Sequence, residues 1–154
     1  MELAMEGGGW WPYVVVFLAA ATPVLEVLVV VPGGVLAGLS PGWTALVAVA
    51  GNLSTVALVA VAGDRLLGWW RARRPEKDRR GSQRSQRGHE LVRRWGVPGL
   101  ALLAPLTTGT HVGTVAALAI GADRRRVLRW MVVGVSFWGV VAAGATAAGL
   151  DAFT

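Results

Sequence analysis

The hydrophobic pattern divides the chain into four apolar stretches, roughly residues 11–39, 43–63, 96–122 and 127–150, separated by short polar or heavily charged links. A helix rises 1.5 Å per residue, so about 20 apolar residues cross a hydrocarbon core of about 30 Å. The second and fourth stretches, 21 and 24 residues long, fit single spanning helices. The first and third are longer, 29 and 27 residues, and each is interrupted. Pro23 and the Pro32-Gly33-Gly34 triplet fall inside the first; Pro105 and Gly109 fall inside the third. Proline lacks the donor that a helix interior needs, and glycine lowers helix propensity. In lipid, backbone groups freed at such a break must be met by protein or by a wet cavity. The pattern predicts an all-α integral membrane protein in which a broken or re-entrant helix precedes a transmembrane helix, twice over.

Composition and charge sharpen this picture. Of 154 residues, 54% are apolar and 16% charged, and mean hydropathy is +0.53. These values exclude a disordered chain and are too apolar for a soluble domain of this length. The net charge of +6 is concentrated: eleven of the fifteen Lys and Arg lie between Arg65 and Arg94, and the others are Arg124, Arg125, Arg126 and Arg129. Short arginine-rich links beside apolar spans mark cytoplasmic loops, so the basicity is assigned to the membrane and no nucleic acid is expected as a partner. If all four stretches crossed, the two basic blocks would lie on opposite faces. If the first and third dip in and return, both blocks are cytoplasmic and both acidic termini lie outside, which fits every charge block. A multi-pass protein of the cell membrane is the expectation. Residues 1–9 carry Glu2 and Glu6 and no base, unlike the start of a signal peptide.

Comparing the halves at an offset of 82 sets Ala21-Thr22-Pro23 beside Leu103-Ala104-Pro105, Glu26 beside Thr108, and Ser54 beside Ser136. The expected organisation is one membrane domain, 1–154, made of repeat one (11–63), a basic cytoplasmic linker (64–95) and repeat two (96–150). Under the charge-derived topology the repeats are inverted, an arrangement recurrent in transporters. The end of the linker, 89–95, has an amphipathic pattern suited to the membrane surface.

Glu26 is the only acid inside an apolar stretch. A charged carboxyl facing lipid at that depth costs about 2.5 kcal/mol or more. It is therefore expected to face protein or water, where it can bind a cation or carry a proton; the alternative is a shallow carboxyl that caps backbone N–H groups. Residues 105–114 offer Thr107, Thr108, Thr110, His111 and Thr114 around Pro105. Their hydroxyls can line a substrate path, and His111 could exchange a proton with Glu26. Equally, the hydroxyls can bond the preceding helical turn while the imidazole packs as a neutral ring. Asn52 either bridges helices or lines a cavity. Seven of eight tryptophans sit at segment ends, as interfacial anchors do, and Trp138 alone is deep. With no cysteine and two distant histidines, no metal or cofactor is expected.

The chain resembles the small multi-drug export family of bacterial and archaeal membrane proteins. The likeness lies in Glu26-Val27-Leu28-Val29-Val30-Val31-Pro32, in Gly51-Asn52, and in the arginine-rich linker running into Arg94-Trp95-Gly96-Val97-Pro98-Gly99-Leu100. It continues through Ala104-Pro105-Leu106, Thr108-Gly109-Thr110 and Ile120-Gly121-Ala122-Asp123-Arg124-Arg125, covering residues 20–148. More distantly it is similar to DedA-type proteins, which implies re-entrant hairpins packed at the bilayer centre. Two features depart from the family: Val27-Leu28 follows the glutamate where relatives carry a basic residue, and the tip has Thr107–His111 where a proline or aromatic is common.

The reading is a small membrane transporter, exporting small molecules or ions and coupled to a proton or cation through Glu26, with a homodimer expected from its size. Two rivals stand beside it. A lipid scramblase or flippase would depend on Arg93, Arg94, Arg124, Arg125 and Arg126 at phosphate headgroups; a membrane scaffold or regulatory subunit would tolerate loss of Glu26. No paired acids and no fixed Ser–His pair point to an enzyme.

Overall fold

The computed structural model describes residues 9–73 and 96–152, and all six elements there are helices: α1 (Trp11–Ala20), α2 (Val27–Leu36), α3 (Pro41–Arg73), α4 (Gly96–Thr107), α5 (Thr110–Ala119) and α6 (Arg124–Asp151). Arg93, Arg94 and the amphipathic end of the linker lie outside the described residues. Two helices are long and apolar enough to cross a membrane, α3 over Pro41–Gly63 and α6 over Arg124–Asp151. The others are short. Ten residues make a helix of about 15 Å, half the hydrocarbon thickness, and α1, α2 and α5 each have ten.

The structure forms two compact units, residues 1–55 with 135–154, and residues 56–134. In the first, α1 and α2 make an antiparallel hairpin. A groove of about 350 Å³ runs along it, with Ala19 and Leu25 near the tip and Trp11 and Ala37 at the open end. Val16, Ala20, Val27, Val31 and Val35 of the hairpin pack with Ala45 and Ala48 of α3 and Val135 and Ala142 of α6. Close approach is set by glycine. A Cβ at Gly51 would collide with the carbonyl oxygen of Phe17, and one at Gly34 would lie 2.6 Å from Thr44 Cγ2. In the second unit α4 and α5 also double back: a Cβ at Gly113 would lie 2.8 Å from Ala104 Cβ. Leu100, Ala101, Ala117, Val127 and Met131 form its core, and a Cβ at Gly134 would collide with the carbonyl oxygen of Ala101.

The same local devices recur 83 residues apart. Helix α2 begins at Val27 and α5 at Thr110; α3 begins at Pro41 and α6 at Arg124. Gly38 and Gly121 hold φ of 88° and 87° after α2 and α5, where a left-handed residue ends a helix at little cost only if it is glycine. Each then presents the same pair of closing bonds, Gly38 N to Val35 O and Leu39 N to Gly34 O, against Gly121 N to Leu118 O and Ala122 N to Ala117 O. Gly51 and Gly134 fall at the same spacing. The recurrence thus corrects the offset of 82: Glu26 corresponds to Gly109, not Thr108, since each immediately precedes its helix.

Three expectations about boundaries change. Pro32, Gly33 and Gly34 do not break the chain; α2 runs through them. Pro32 removes one backbone donor, but buried Val27, Val31 and Val35 hold that helix in the core, and Gly34 is there for Thr44. The breaks fall at residues 21–26, around Pro23, and at Thr108-Gly109; Pro105 lies inside α4 near its end. The second stretch does not stop at Gly63, because α3 continues as helix to Arg73 into the expected linker. The Arg124-Arg125-Arg126 triplet is the first turn of α6 rather than a loop. Asp123 Oδ1 accepts the Arg126 N–H at 2.8 Å, a carboxylate cap that starts the helix before the arginines.

Candidate functional site at the first hairpin tip

The tip between α1 and α2 is built by Thr22. Its hydroxyl donates to the Ala19 carbonyl at 2.7 Å and accepts the Leu25 N–H at 3.4 Å, closing the turn around Pro23. Thr22, Pro23, Val24 and Leu25 are exposed. Glu26 follows in extended conformation (φ −76°, ψ 161°) as the residue that starts α2. Its carbonyl receives Val29 N and Val30 N, while its side chain makes no capping bond, so the capping role weighed from sequence is not the one it plays. Glu26 is half-buried, and Oε2 is shielded from solvent.

Val27, the next residue, anchors the tip. Val27 is 2% exposed; a Cβ at Gly139 of α6 would lie 3.4 Å from Val27 Cγ1 and 2.6 Å from Val49 Cγ2 of α3. Asn52, buried, lies one turn beyond Val49 on the same face of α3, and Ser136 lies one turn before Gly139 on α6. Val27, the neighbour of Glu26, therefore seats against α3 and α6 one helical turn from the positions of Asn52 and Ser136. Ser136 and Val49 also line a groove of about 410 Å³ between α3 and α6, walled otherwise by Ala45, Leu46, Val140 and Ala143. Gly139, whose lack of a side chain seats the tip, went unnoticed in the sequence; its only signal there is a glycine inside an apolar helix.

The polar tip of the second unit is arranged differently. Thr107 and Thr114 donate their hydroxyls to the carbonyls four residues earlier, Leu103 at 2.9 Å and Thr110 at 2.7 Å. This is the backbone-bonding alternative, and it leaves these two hydroxyls engaged. Thr110 and His111 are buried, with Thr110 Oγ1 and His111 Nδ1 3.4 Å apart. Gly109 turns the chain with φ 86°, and its N–H reaches the Ala104 carbonyl at 2.7 Å. Thr108 Oγ1 is buried and has no hydrogen-bond partner among the described residues. Glu26 and Asn52 thus belong to one unit, and Pro105, Thr107, Thr108, Thr110 and His111 to the other.

Among the described residues no three His, Asp or Glu side chains converge as metal ligands would. What the first tip can do is hold one ionisable oxygen pair in an apolar unit, at the start of a helix whose N-terminal dipole favours negative charge. Outward-facing Val24, Val29, Leu58, Val61, Val133 and Val140 are each exposed by half or more, a surface suited to lipid rather than water. No curated protein and no solved structure matches the chain. A family match does run from residue 26 to residue 141, from Glu26 at the end of the first tip through α2, α3 and the second hairpin into α6; the chain belongs to the family described as "Putative small multi-drug export protein".

Proposed function

We propose that this membrane protein exports small molecules by a cycle of proton or cation binding at Glu26, in a fold of two inverted sequence repeats, 11–63 and 96–150, each a re-entrant hairpin followed by a spanning helix. The observation that carries the reading is the placement of Glu26. It is the only Asp or Glu between residues 9 and 63, and it stands at the tip of a hairpin whose arms are each about 15 Å long. A hairpin of that length entering from the interface, where Trp10 and Trp11 are exposed, ends near the middle of a core of about 30 Å. The family description supports export. The recurrence at 83 residues and the two basic blocks support the repeated, inverted topology with both basic blocks cytoplasmic.

The chemistry follows from the setting. The carboxyl stands at the N-terminal end of α2, whose dipole favours negative charge, between the apolar residues Leu25 and Val27, so binding a proton or cation there changes the charge of the tip. Loading and unloading a proton or cation therefore changes which surroundings the tip prefers, and that preference is the coupling. Gly109 occupies the equivalent place in the other hairpin, so each chain carries one such group, and the expected homodimer two.

The test uses purified protein in liposomes under an imposed pH gradient, with the lipophilic cation ethidium as probe. Glu26→Gln should reduce gradient-driven ethidium movement to the level of empty liposomes, and Glu26→Asp should retain part of it, both with unchanged insertion and unfolding. Transport by Glu26→Gln equal to that of the unmodified chain would remove the central residue from the mechanism.

A further inference from the structure

Helix α6 opens with an electrostatic arrangement that its own backbone disfavours. Arg124, Arg125, Arg126 and Arg129 crowd its first two turns, with no acid in the first turn. Cations at a helix N-terminus oppose the macrodipole, and Arg125 and Arg126 each stand within three or four residues of Arg129, where like charges repel. Asp123 is engaged in capping the Arg126 N–H, and Arg129 Nε turns back to the Arg125 carbonyl at 3.3 Å. A chain that keeps this arrangement gains from an anion outside it.

The surface has a place for one. Arg126, Arg129, Trp130 and Val133 line a notch of about 380 Å³. Their spacing of three, four and seven residues puts them in one stripe along a single helix face. Both arginines are exposed, Trp130 is half-buried, and Val133 is 52% exposed. Going along the helix, the stripe passes from guanidinium to indole to bare aliphatic within about 10 Å. That gradient matches an amphiphile with an anionic head and an acyl tail: guanidinium groups pair with phosphate oxygens, and tryptophan sits at the glycerol level of the interface. A free inorganic anion would use the arginines and leave Trp130 and Val133 without a role.

We infer that the notch formed by Arg126, Arg129, Trp130 and Val133 binds the phosphate headgroup of an anionic membrane lipid, with the first part of its acyl chain along Val133. The site is independent of Glu26 and of transport. It differs from a general attraction of basic loops to anionic membranes, because it distinguishes two arginines from their two neighbours. Arg124 and Arg125 carry the same charge and do not line the notch.

Native mass spectrometry of the delipidated full chain, titrated with phosphatidylglycerol, tests this directly. The unmodified protein should retain one lipid per chain and discriminate against phosphatidylcholine. Arg126→Gln/Arg129→Gln should weaken binding about tenfold or more, since each substitution loses a charge-assisted bond to the phosphate that Arg124 and Arg125 do not make. Arg124→Gln/Arg125→Gln should leave binding nearly unchanged. Equal weakening in both pairs would overturn the proposal in favour of diffuse charge. Competition by millimolar inorganic phosphate would overturn it in favour of a free-anion site, and equal retention of phosphatidylcholine would overturn it as well. The four arginines are exposed, so both double variants should keep the unmodified unfolding transition. A transition lost in Arg126→Gln/Arg129→Gln even with lipid present would assign the pair to folding and likewise overturn the site.

Discussion

Replacing Gly51 by alanine tests the packing on which the first unit rests. The added Cβ would fall well inside 3.0 Å of the Phe17 carbonyl oxygen, whereas carbon contacts are comfortable at about 3.5–4.0 Å. The neighbour is backbone, so no rotamer change relieves the clash; α1 and α3 must part by something on the order of 1 Å. Separation strips dispersion contacts from the rest of the interface and breaks the small-residue contact that lets membrane helices approach closely. Overpacking of this kind costs about 1–3 kcal/mol, and the rigid partner puts Gly51 at the upper end. The better helix propensity of alanine returns at most about 1 kcal/mol, leaving a net loss of about 2 kcal/mol. Gly134→Ala meets the Ala101 carbonyl oxygen in the same way and should cost a similar amount. Gly144→Ala is the control, since nothing lies within 4 Å of a Cβ there; it should be neutral or stabilising by up to about 1 kcal/mol. Unfolding in mixed micelles, titrated with dodecyl sulfate and followed by tryptophan fluorescence, gives all three values. Gly51→Ala and Gly134→Ala unfolding at the same midpoint as Gly144→Ala would refute the close helix contacts.

Other outcomes follow from the turns and the buried hydroxyls. Gly38→Ala and Gly121→Ala force a side chain into positive φ at equivalent turns and should each lose about 1–2 kcal/mol in the same titration; a loss at one alone would break their equivalence. Thr108→Val removes a buried hydroxyl that lacks a partner among the described residues, so stability should hold or rise, while a marked loss would mean that the hydroxyl is bonded in solution. Asp123→Ala should lower stability by about 1 kcal/mol through the lost cap of α6, visible as a shifted midpoint, and Asp123→Asn should recover most of it.

The two helices long and apolar enough to cross a membrane were legible because length and apolarity alone set them, and the breaks at Pro23 and Gly109 because proline and glycine act locally. The Pro32-Gly33-Gly34 triplet misled for the opposite reason. Its glycine answers a tertiary demand, room for Thr44, and burial of the flanking valines outweighs the local propensity. The two halves compare differently by sequence and by local geometry: Ala-Thr-Pro against Leu-Ala-Pro favours an offset of 82, yet the glycine pairs Gly38 with Gly121 and Gly51 with Gly134 favour 83. Those glycines are the better signal, since each is fixed by a backbone requirement that no other residue meets, whereas apolar identities are interchangeable. At the site, the apolar surroundings of Glu26 along the chain could be read from its neighbours. The seating of its neighbour Val27 against Gly139 could not, because that contact joins residues more than a hundred positions apart. The arginine triplet read as a loop because charge signals solvent, and the cap at Asp123 that makes it helical rests on one side-chain bond.

The proposed midplane position of Glu26 belongs to a topology in which both hairpins turn back within the membrane, and side-specific labelling tests the second hairpin most directly. The chain has no cysteine, so single cysteines can be placed by Ser85→Cys in the basic linker and Arg124→Cys at the exposed start of α6, in separate variants. An impermeant maleimide applied to intact cells and to inside-out vesicles should label both variants from the cytoplasmic side only. Labelling from opposite sides would mean that the second hairpin region crosses the bilayer, contradicting the re-entrant topology and removing the midplane position from which Glu26 is proposed to work.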